Sequence, residues 1–385
     1  MMKITEKKIE ENKKYFPWLK ADFEKYENLF DTYYHILADM LMFPLAWCYV
    51  VWSKRGPGKT YSCLWLAYYC NFPIIYMKRT DKDVARILKE EESINLDQSP
   101  YKALKRDKNI RVVGVQIDDG FGAFYEANAD GEPGGKLLAY VLSFNKIQTF
   151  KGNDFTEVEF LVFDEFIPQL GERIKKSEGE NLLDLYQTVS RDRLKRGRQP
   201  LKLLLFANAE QISVPVTREL EILDELAQLN ESEETHLYLE SRDILLHHIT
   251  NEEVPIQEEE KQGIWKGMYG TAWWEKSFGG HFVHNDFSNV TSRSLKRSRP
   301  LLQIKYKTHF YYVYLNEDKA FYYMTTTPAK AQFSYDLNRE NEQKKFYYDY
   351  LLDLREACIE ERFKFEKYSM YDLIINYRKY FEISY

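Results

Sequence analysis

Short apolar runs alternate with amphipathic and polar segments along the first two thirds of the chain. The first run, residues 45–52, is rich in β-branched and aromatic side chains and predicts a buried strand, whereas residues 61–70 predict a helix. The helical spacing of apolar residues predicts an amphipathic helix at 179–194. Strands that alternate with helices indicate an α/β fold. The further predicted strands are 72–77, 110–117, 121–126, 137–144, 157–166 and 203–209.

The two ends of the chain differ from this central part. Residues 1–44 are charged and aromatic and contain no glycine, which predicts a helical N-terminal extension. A helical stretch and one strand near 236–248 complete the predicted central domain, 45–250, and a Glu-rich linker follows at 251–276. The last predicted domain, 277–385, is smaller and of α+β type. Its predicted elements are a meander of three strands and then helices, at 301–307, 310–315, 320–324, 338–360 and 369–379.

A glycine-rich stretch, Ser53–Thr60, lies between the first predicted strand and the first central helix. Strand, glycine-rich loop, Lys-Thr and helix is the arrangement of a phosphate-binding loop, in which backbone N–H groups surround the phosphates of ATP. Lys59 would reach the β- and γ-phosphates, and the Thr60 hydroxyl would ligate Mg²⁺. Ser53 replaces the usual first glycine and Pro57 removes one N–H, so a chance glycine-rich turn is the alternative. The predicted nucleotide-binding residues of this loop are Arg55, Gly56, Gly58, Lys59 and Thr60.

The predicted strand at 157–166 contains four apolar residues and then Asp164 and Glu165. This pattern is a Walker B strand, in which one carboxylate joins the Mg²⁺ shell and a second activates or positions the attacking water. Asp164 fits the first role and Glu165 the second. An ordinary strand that ends in a polar turn is the alternative, but the phosphate-binding loop upstream makes chance a poor explanation. A GTPase would show Asn-Lys-x-Asp, which Asn145-Lys146-Ile147-Gln148 does not complete.

Three more polar residues follow predicted elements of the central domain. Arg79 follows the second strand, where α/β proteins place ligands, and a solvated helix cap is an equally good interpretation. Arg191 belongs to a basic stretch at the end of the 179–194 helix, which suits an arginine finger, a DNA contact or a solvated helix end. Asn208 ends a buried strand and would hydrogen-bond the γ-phosphate or the attacking water, unless it is a turn residue.

Composition narrows the class of protein. The chain has 385 residues, of which 44% are hydrophobic, and this indicates a globular protein with a sizeable core. The net charge of −6 means that any contact with nucleic acid must use local basic patches. The four cysteines show no metal-binding spacing and are expected to be reduced core thiols. No apolar run approaches the ~18 residues of a membrane span, and no signal peptide is evident, so we expect no membrane partner.

Taken together, these motifs resemble the DNA-encapsidation ATPases of small podoviruses, which pump genomes into procapsids. The order and spacing of the motifs agree from about residue 45 to about residue 215, and the last third agrees only in hydrophobic pattern. The stretches that carry the resemblance are Lys54–Thr60, Tyr76–Arg79, Val141–Ser143 followed by Lys151, Val162–Ile167, Thr188–Arg193 and Ala207–Ala209.

The resemblance implies a P-loop ATPase core of the ASCE type and an RNase H-like C-terminal domain. It also implies a homomeric ring, a pentamer, docked on the portal vertex of a procapsid with double-stranded DNA in its channel, and it leaves a packaging RNA open. Arg191 and Lys151 would then act on the nucleotide of the neighbouring subunit. Such a protein would work in the host-cell cytoplasm and transiently at the portal, and would be absent from the mature virion.

The leading hypothesis is therefore an ATP-driven translocase of viral double-stranded DNA. A P-loop helicase or helicase loader is the alternative enzyme, and a capsid-vertex scaffold with an inactive P-loop is the non-enzymatic one. No nuclease activity is expected, because the only acids between Leu301 and Pro328 are Glu317 and Asp318, both in a predicted turn. Candidate DNA contacts are Lys82, the basic connector 99–109, and Arg293, Lys296, Arg297 and Arg299, although a solvated loop is the simpler interpretation of the last four.

Overall fold

The chain folds into two units in a computed structural model that describes residues 4–20, 33–91, 96–144, 146–147, 154–169, 171–172 and 174–382. The first unit extends to Glu219 and includes Leu229–Val283, and the second contains Leu220–Gln228 and His284–Tyr385. The residues predicted to form a linker, 251–276, therefore belong to the first unit. None of the described helices is both long and apolar enough to cross a membrane.

The strands of the first unit form one large sheet and a small hairpin. In chain order they are β1 Cys48–Ser53, β2 Ile74–Lys78, β3 Glu90–Glu91, β4 Leu96–Asp97, β5 Val112–Asp118, β6 Phe121–Ala127, β7 Pro133–Ser143, β8 Phe160–Asp164, β9 Lys202–Asn208, β10 His236–Leu239 and β11 Ile244–Ile249. The large sheet has the order β10-β11-β1-β9-β8-β2-β7-β6-β5, and β3 pairs with β4. The predicted α/β class and the predicted central strands are confirmed.

Six neighbouring strands of this sheet, from β11 to β7, run parallel, and the antiparallel strands lie at its two sides. The carboxyl ends of parallel strands meet at one edge of a sheet. The register places Ser53 opposite Asn208 and Asp164 opposite Phe206. The residues that follow β1, β8 and β9 are thereby brought to the same edge, which is where the candidate site forms.

Two predicted elements of the first unit have different limits in the structure. The predicted single strand near 236–248 is two antiparallel strands, β10 and β11, because the chain turns between them and Asp243 adopts a positive φ of 50°. The predicted helix 179–194 ends at Ser190, because Arg191 leaves the helical region and Asp192 adopts a φ of 62°. A short 3₁₀ turn, Leu194–Arg196, follows it.

Several helices of the first unit pack against the sheet and share its hydrophobic core. Longer ones include Lys59–Cys70, which ends at Asn71 in the left-handed conformation, and Asp81–Leu88, which is capped by the Thr80 hydroxyl. The predicted basic connector, 99–109, contains the helix Lys102–Lys108. The α-helices are Glu6–Asn12, Ile36–Met42, Lys59–Cys70, Asp81–Leu88, Lys102–Lys108, Glu178–Ser190, Pro215–Glu219 and Leu223–Glu231. The last of these begins in the second unit and ends in the first. Short helical turns are Glu258–Glu260, Ile264–Gly267, Ala272–Trp274 and Glu275–Gly279.

The described part of the N-terminal extension is built into the core of the first unit. Phe16 is buried, and the ring of Trp18 lies 4.8 Å from that of Phe72 and 5.6 Å from that of Phe160 on β8. Since these rings contribute large apolar area to one cluster, the extension stabilises the sheet instead of forming a separate module.

The second unit has its own five-stranded sheet and core. The predicted meander is present as β12 Arg299–Tyr306, β13 His309–Asn316 and β14 Phe321–Thr325, and it is extended by β15 Phe333–Asp336 and β16 Phe363–Phe365. The strand order is β15-β12-β13-β14-β16, with β15 parallel to β12 and β16 parallel to β14. The helical segments are Glu340–Phe346, Tyr347–Leu351, which forms a π-helical turn, Leu352–Ile359, Tyr368–Ile375 and Tyr377–Tyr380.

Candidate active site

The glycine-rich loop after β1 surrounds one end of a cavity of about 330 Å³. Gly56 and Gly58 adopt positive φ angles of 91° and 99°, a conformation that other residues adopt only with strain. Gly58 also begins the Lys59–Cys70 helix, and a β-carbon there would lie 3.3 Å from the Cβ of Tyr33. The loop thus places the positive end of a helix dipole beside the cavity, as the binding of phosphate requires.

The lysine of the loop is held by the residue that departs from the usual motif. The Lys59 ammonium donates to the hydroxyl of Ser53 and to the carbonyl of Lys54, 3.3 Å away. Burial lowers the pKa of Lys59 to about 8, although Asp164 and Glu165 both favour its charged form. Ser53 therefore contributes a hydroxyl that orients the ammonium, which a glycine at this position could not do.

Asp164, at the end of β8, accepts two hydrogen bonds on the same oxygen. The hydroxyl of Thr60 donates to Oδ2 over 2.8 Å, and the hydroxyl of Tyr76 on β2 donates to it over 2.8 Å. The predicted Mg²⁺ ligands Thr60 and Asp164 are thus side by side, and both offer the oxygen donors that Mg²⁺ prefers. Tyr76 was not a predicted site residue, although the stretch Tyr76–Arg79 carried part of the resemblance and could have indicated it.

Glu165 lies in a strained turn directly after β8. Its φ is 58°, and a non-glycine residue in this region costs roughly 1–3 kcal/mol, which the surrounding contacts must offset. Its carboxylate lines the cavity and lies 4.0 Å from the ammonium of Lys78. The strained backbone turns the side chain of Glu165 to the same cavity as Lys59 and Thr60.

Arg79 holds the turn at Glu165 through hydrogen bonds to its backbone. Its guanidinium donates to the carbonyl of Glu165 over 2.9 Å and to the carbonyl of Phe166, and it lies over the ring of Phe163. It also forms a two-pronged ion pair with the buried Glu178, with N–O distances of 3.1 and 3.2 Å. Burial raises the pKa of Glu178, and Arg79 opposes this shift. Arg79 was predicted to bind the nucleotide, but the structure places it outside the cavity lining and engages it with the Glu165 turn.

Two more predicted residues line the cavity. Asn208 ends β9 directly opposite Ser53, and Arg55 lies on the exposed side of the loop. The predicted set Arg55, Gly56, Gly58, Lys59, Thr60, Asp164, Glu165 and Asn208 is therefore brought together by the fold.

Arg191 lies elsewhere. Its side chain is 82% exposed. The segment that contains it lies against the residues just before β8, where the neighbouring Arg193 donates to the carbonyl of Thr156 over 3.2 Å and to the carbonyl of Val158. This is the amino edge of the sheet, opposite the cavity. Arg193 itself is only 1% exposed and pairs with Glu159 over 2.6 Å, so the two arginines of the predicted Arg-x-Arg pattern have different surroundings. The other predicted neighbour-facing residue, Lys151, lies outside the described residues.

No protein-family model matches the sequence, and no curated protein matches it. Among solved structures, the phi-28 gp11 DNA packaging motor is similar with a TM-score of 0.54 and 15% identity, covering 88% of this chain and 96% of that chain. The bacteriophage phi-29 viral genome packaging motor assembly contains a chain that is similar with a TM-score of 0.58 and 18% identity, covering 91% of this chain and 100% of that one. Over most of its length, this chain therefore has the fold of phage DNA-packaging motor proteins, as its sequence motifs predicted.

Proposed function

We propose that this chain is an ATPase that moves viral double-stranded DNA into a procapsid through the portal vertex. The observation that carries the proposal is the cavity in which Lys59, the Thr60–Asp164 pair and Glu165 converge, within a fold shared with packaging motor proteins. A phosphate-binding loop alone is found in many ATPases, and the fold shared with packaging motor proteins is the feature that favours a packaging motor over the helicase alternative.

The residues of the cavity divide the chemistry of ATP hydrolysis among them. Backbone N–H groups at Gly56 and Gly58 and the ammonium of Lys59 bind the phosphates. Thr60 and Asp164 would hold Mg²⁺, which neutralises charge on the phosphates when it is bound. Glu165 accepts a proton from the attacking water or positions it, and Asn208 hydrogen-bonds the γ-phosphate or that water.

Arg191 is proposed to act on the nucleotide of a neighbouring subunit in a homomeric ring, for which a pentamer is the expected size. Its position at the amino edge of the sheet and its exposure support a role outside its own cavity. A guanidinium supplied in this way stabilises charge on the γ-phosphoryl group and is worth about 10³–10⁵ in rate. Lys151 is proposed to share that site.

The second unit is proposed to be an RNase H-like module without nuclease activity that docks on nucleic acid or on the capsid vertex. Metal-dependent cleavage would need a carboxylate on its first strand. On β12 the ion pair of Lys305 with Asp336, 3.5 Å long, places a cation next to the acid of β15. A packaging RNA remains a candidate partner, and the expected place of action is the host cytoplasm and the portal, not the mature virion.

The test is an ATPase assay of the full chain with and without double-stranded DNA, beside a mass measurement in solution. We expect ATP turnover that DNA stimulates, a homomeric ring, no strand separation and no nicking of plasmid DNA in Mg²⁺ or Mn²⁺. Strand separation coupled to ATP hydrolysis would favour the helicase alternative. Absence of ATP turnover with and without DNA would refute the proposal.

A further inference from the structure

A second cluster of titratable side chains lies among elements that the nucleotide cavity does not use. It consists of Asp39 on the Ile36–Met42 helix, His236 on β10 and His247 on β11, and the two histidines are direct cross-strand partners. Asp39 and His247 are 2% and 3% exposed, whereas His236 is 18% exposed. The cluster is therefore buried but open on one side.

One ligand atom from each of these three residues lies within 4.8 Å of the other two. Asp39 Oδ2 lies 2.8 Å from His247 Nδ1, and Asp39 Oδ1 lies 3.2 Å from His236 Nε2. The imidazole rings stack with their centroids 3.8 Å apart, so their nitrogens reach the same carboxylate. Ligand atoms around a tetrahedral Zn²⁺ lie roughly 3.3 Å apart, given metal–ligand distances of about 2.0–2.2 Å. We propose that Asp39, His236 and His247 bind a divalent transition metal ion of the zinc class.

A second layer of hydrogen bonds orients the three ligands. The other ring nitrogen of His247 lies 3.0 Å from Glu253 Oε2, and that of His236 lies 2.8 Å from the hydroxyl of Thr235. The hydroxyl of Tyr34 donates to Asp39 Oδ2 over 2.8 Å. Metal-binding histidines commonly have such an oxygen partner on the second nitrogen, which fixes the ring and raises its basicity as a ligand.

The charges of the cluster favour a cation. Two carboxylates, those of Asp39 and Glu253, face the two ring nitrogens of His247 within hydrogen-bonding distance, so negative charge lies on both sides of this imidazole. Two nitrogen ligands select Zn²⁺, Co²⁺ or Ni²⁺ over Mg²⁺ and Ca²⁺, which prefer oxygen. Because the side chain of His236 is 18% exposed, solvent water is the expected fourth ligand.

The position of the site gives the metal a structural role. Asp39 belongs to the segment that covers the phosphate-binding loop, because the backbone N–H of Tyr34 donates to the carbonyl of Pro57 over 2.8 Å. A metal ion would fasten this segment to β10 and β11, which are far from it in sequence. Binding to the folded state alone raises stability in proportion to the logarithm of the metal concentration.

The experiment measures metal binding directly on the full chain. Protein stripped with chelator is equilibrated with Zn²⁺ and, separately, with Co²⁺, and bound metal is counted by elemental analysis and by the visible absorption of nitrogen-bound Co²⁺. We expect one ion per chain, loss of that ion in His236→Ala, and retention in the control His309→Ala, which removes an exposed histidine of the second unit. Glu253→Gln should weaken binding about 10–100-fold.

A Zn²⁺-dependent rise in melting temperature that His236→Ala abolishes is expected as a second readout. His236 is partly exposed, so the folding of this variant is checked by its melting transition without metal. No stoichiometric binding by the wild-type chain, or equal binding by His236→Ala and His309→Ala, would overturn the proposal and leave the cluster as an ion-pair network. Because neither readout uses ATP, failure here is distinct from failure of the proposed ATPase.

Discussion

At the scale of single residues, side chains from distant parts of the chain prepare the candidate site. Ser53 holds the Lys59 ammonium, and the hydroxyls of Thr60 and Tyr76 fix one oxygen of Asp164. Glu165 is the exception, because its side chain is 58% exposed and its backbone is strained. Strained residues at functional sites are held by their surroundings for a specific orientation. At Glu165, therefore, the effect of a substitution on catalysis is easier to separate from its effect on stability than at the buried residues of the site.

We predict that Glu165→Gln retains ATP binding but loses hydrolysis, because the amide keeps the shape of the side chain and removes the charge that activates water. Lys59→Ala, in contrast, should lose nucleotide binding in addition to hydrolysis. Binding is measured with a fluorescent nucleotide and turnover by phosphate release, with Glu157→Gln, an exposed glutamate before β8, as the control. Near-normal turnover in Glu165→Gln would remove Glu165 from catalysis.

At the scale of elements, the Arg79–Glu178 ion pair joins the end of β2 to the start of the Glu178–Ser190 helix. The same guanidinium holds the carbonyls of Glu165 and Phe166, so one side chain connects β2, the turn after β8 and the following helix. A planar guanidinium can make all of these contacts at once, whereas a lysine ammonium cannot match the fork geometry. The position of the turn that carries Glu165 therefore depends on contacts between elements.

Arg79→Ala should destabilise the chain by about 3–5 kcal/mol, since it leaves the buried Glu178 without its partner. Arg79→Lys should recover only part of this loss. Chemical denaturation measures the stability, and a double-mutant cycle with Glu178→Gln should show strong coupling between the two residues. A stable Arg79→Ala protein with weakened ATP affinity would instead support the direct nucleotide contact that its sequence position suggested.

At the scale of the whole molecule, the cavity and the exposed Arg191 lie at opposite edges of the parallel sheet of the first unit. If ATP binds in the cavity as proposed, each subunit would present a nucleotide at one edge and an arginine at the other, which suits head-to-tail association into a closed ring. This arrangement is the structural basis on which hydrolysis is proposed to depend on a neighbouring subunit. Arg193 differs from Arg191 in being buried, and its substitution is therefore expected to lower the stability of the chain.

Arg191→Ala and Lys59→Ala should each be nearly inactive alone, and mixed rings should regain part of the activity. In such a ring an Arg191→Ala subunit keeps an intact phosphate-binding loop, which the arginine of a Lys59→Ala neighbour can serve. The readout is ATP turnover across mixing ratios, with co-assembly shown by mass measurement. Lys195→Ala, an equally exposed cation nearby, is the control and should keep near-normal turnover. No recovery in proven mixed rings would place Arg191 outside the neighbour's site.

The sequence by itself determined the features that depend on residues close together in the chain. The strands before Ser53 and Asp164 could be predicted from their apolar runs, and the glycine-rich loop from its position before a helix, because strand, turn and helix preferences are local. The convergence of Lys59, Asp164, Glu165 and Asn208 also followed, since parallel strands end at one edge of a sheet. The helix end at Ser190 was missed, because Asp192 takes a left-handed conformation that its residue type only weakly indicates.

Only the tertiary structure decided which charged side chains meet. The sequence gives no sign that Arg79 pairs with Glu178 or that Arg193 is buried. The meeting of Asp39 with His247 joins residues 208 positions apart, on a helix and a strand that neither local propensity nor a motif connects. Such contacts depend on packing across the sheet, because a side chain's partners are set by the three-dimensional course of the backbone and not by its neighbours in sequence.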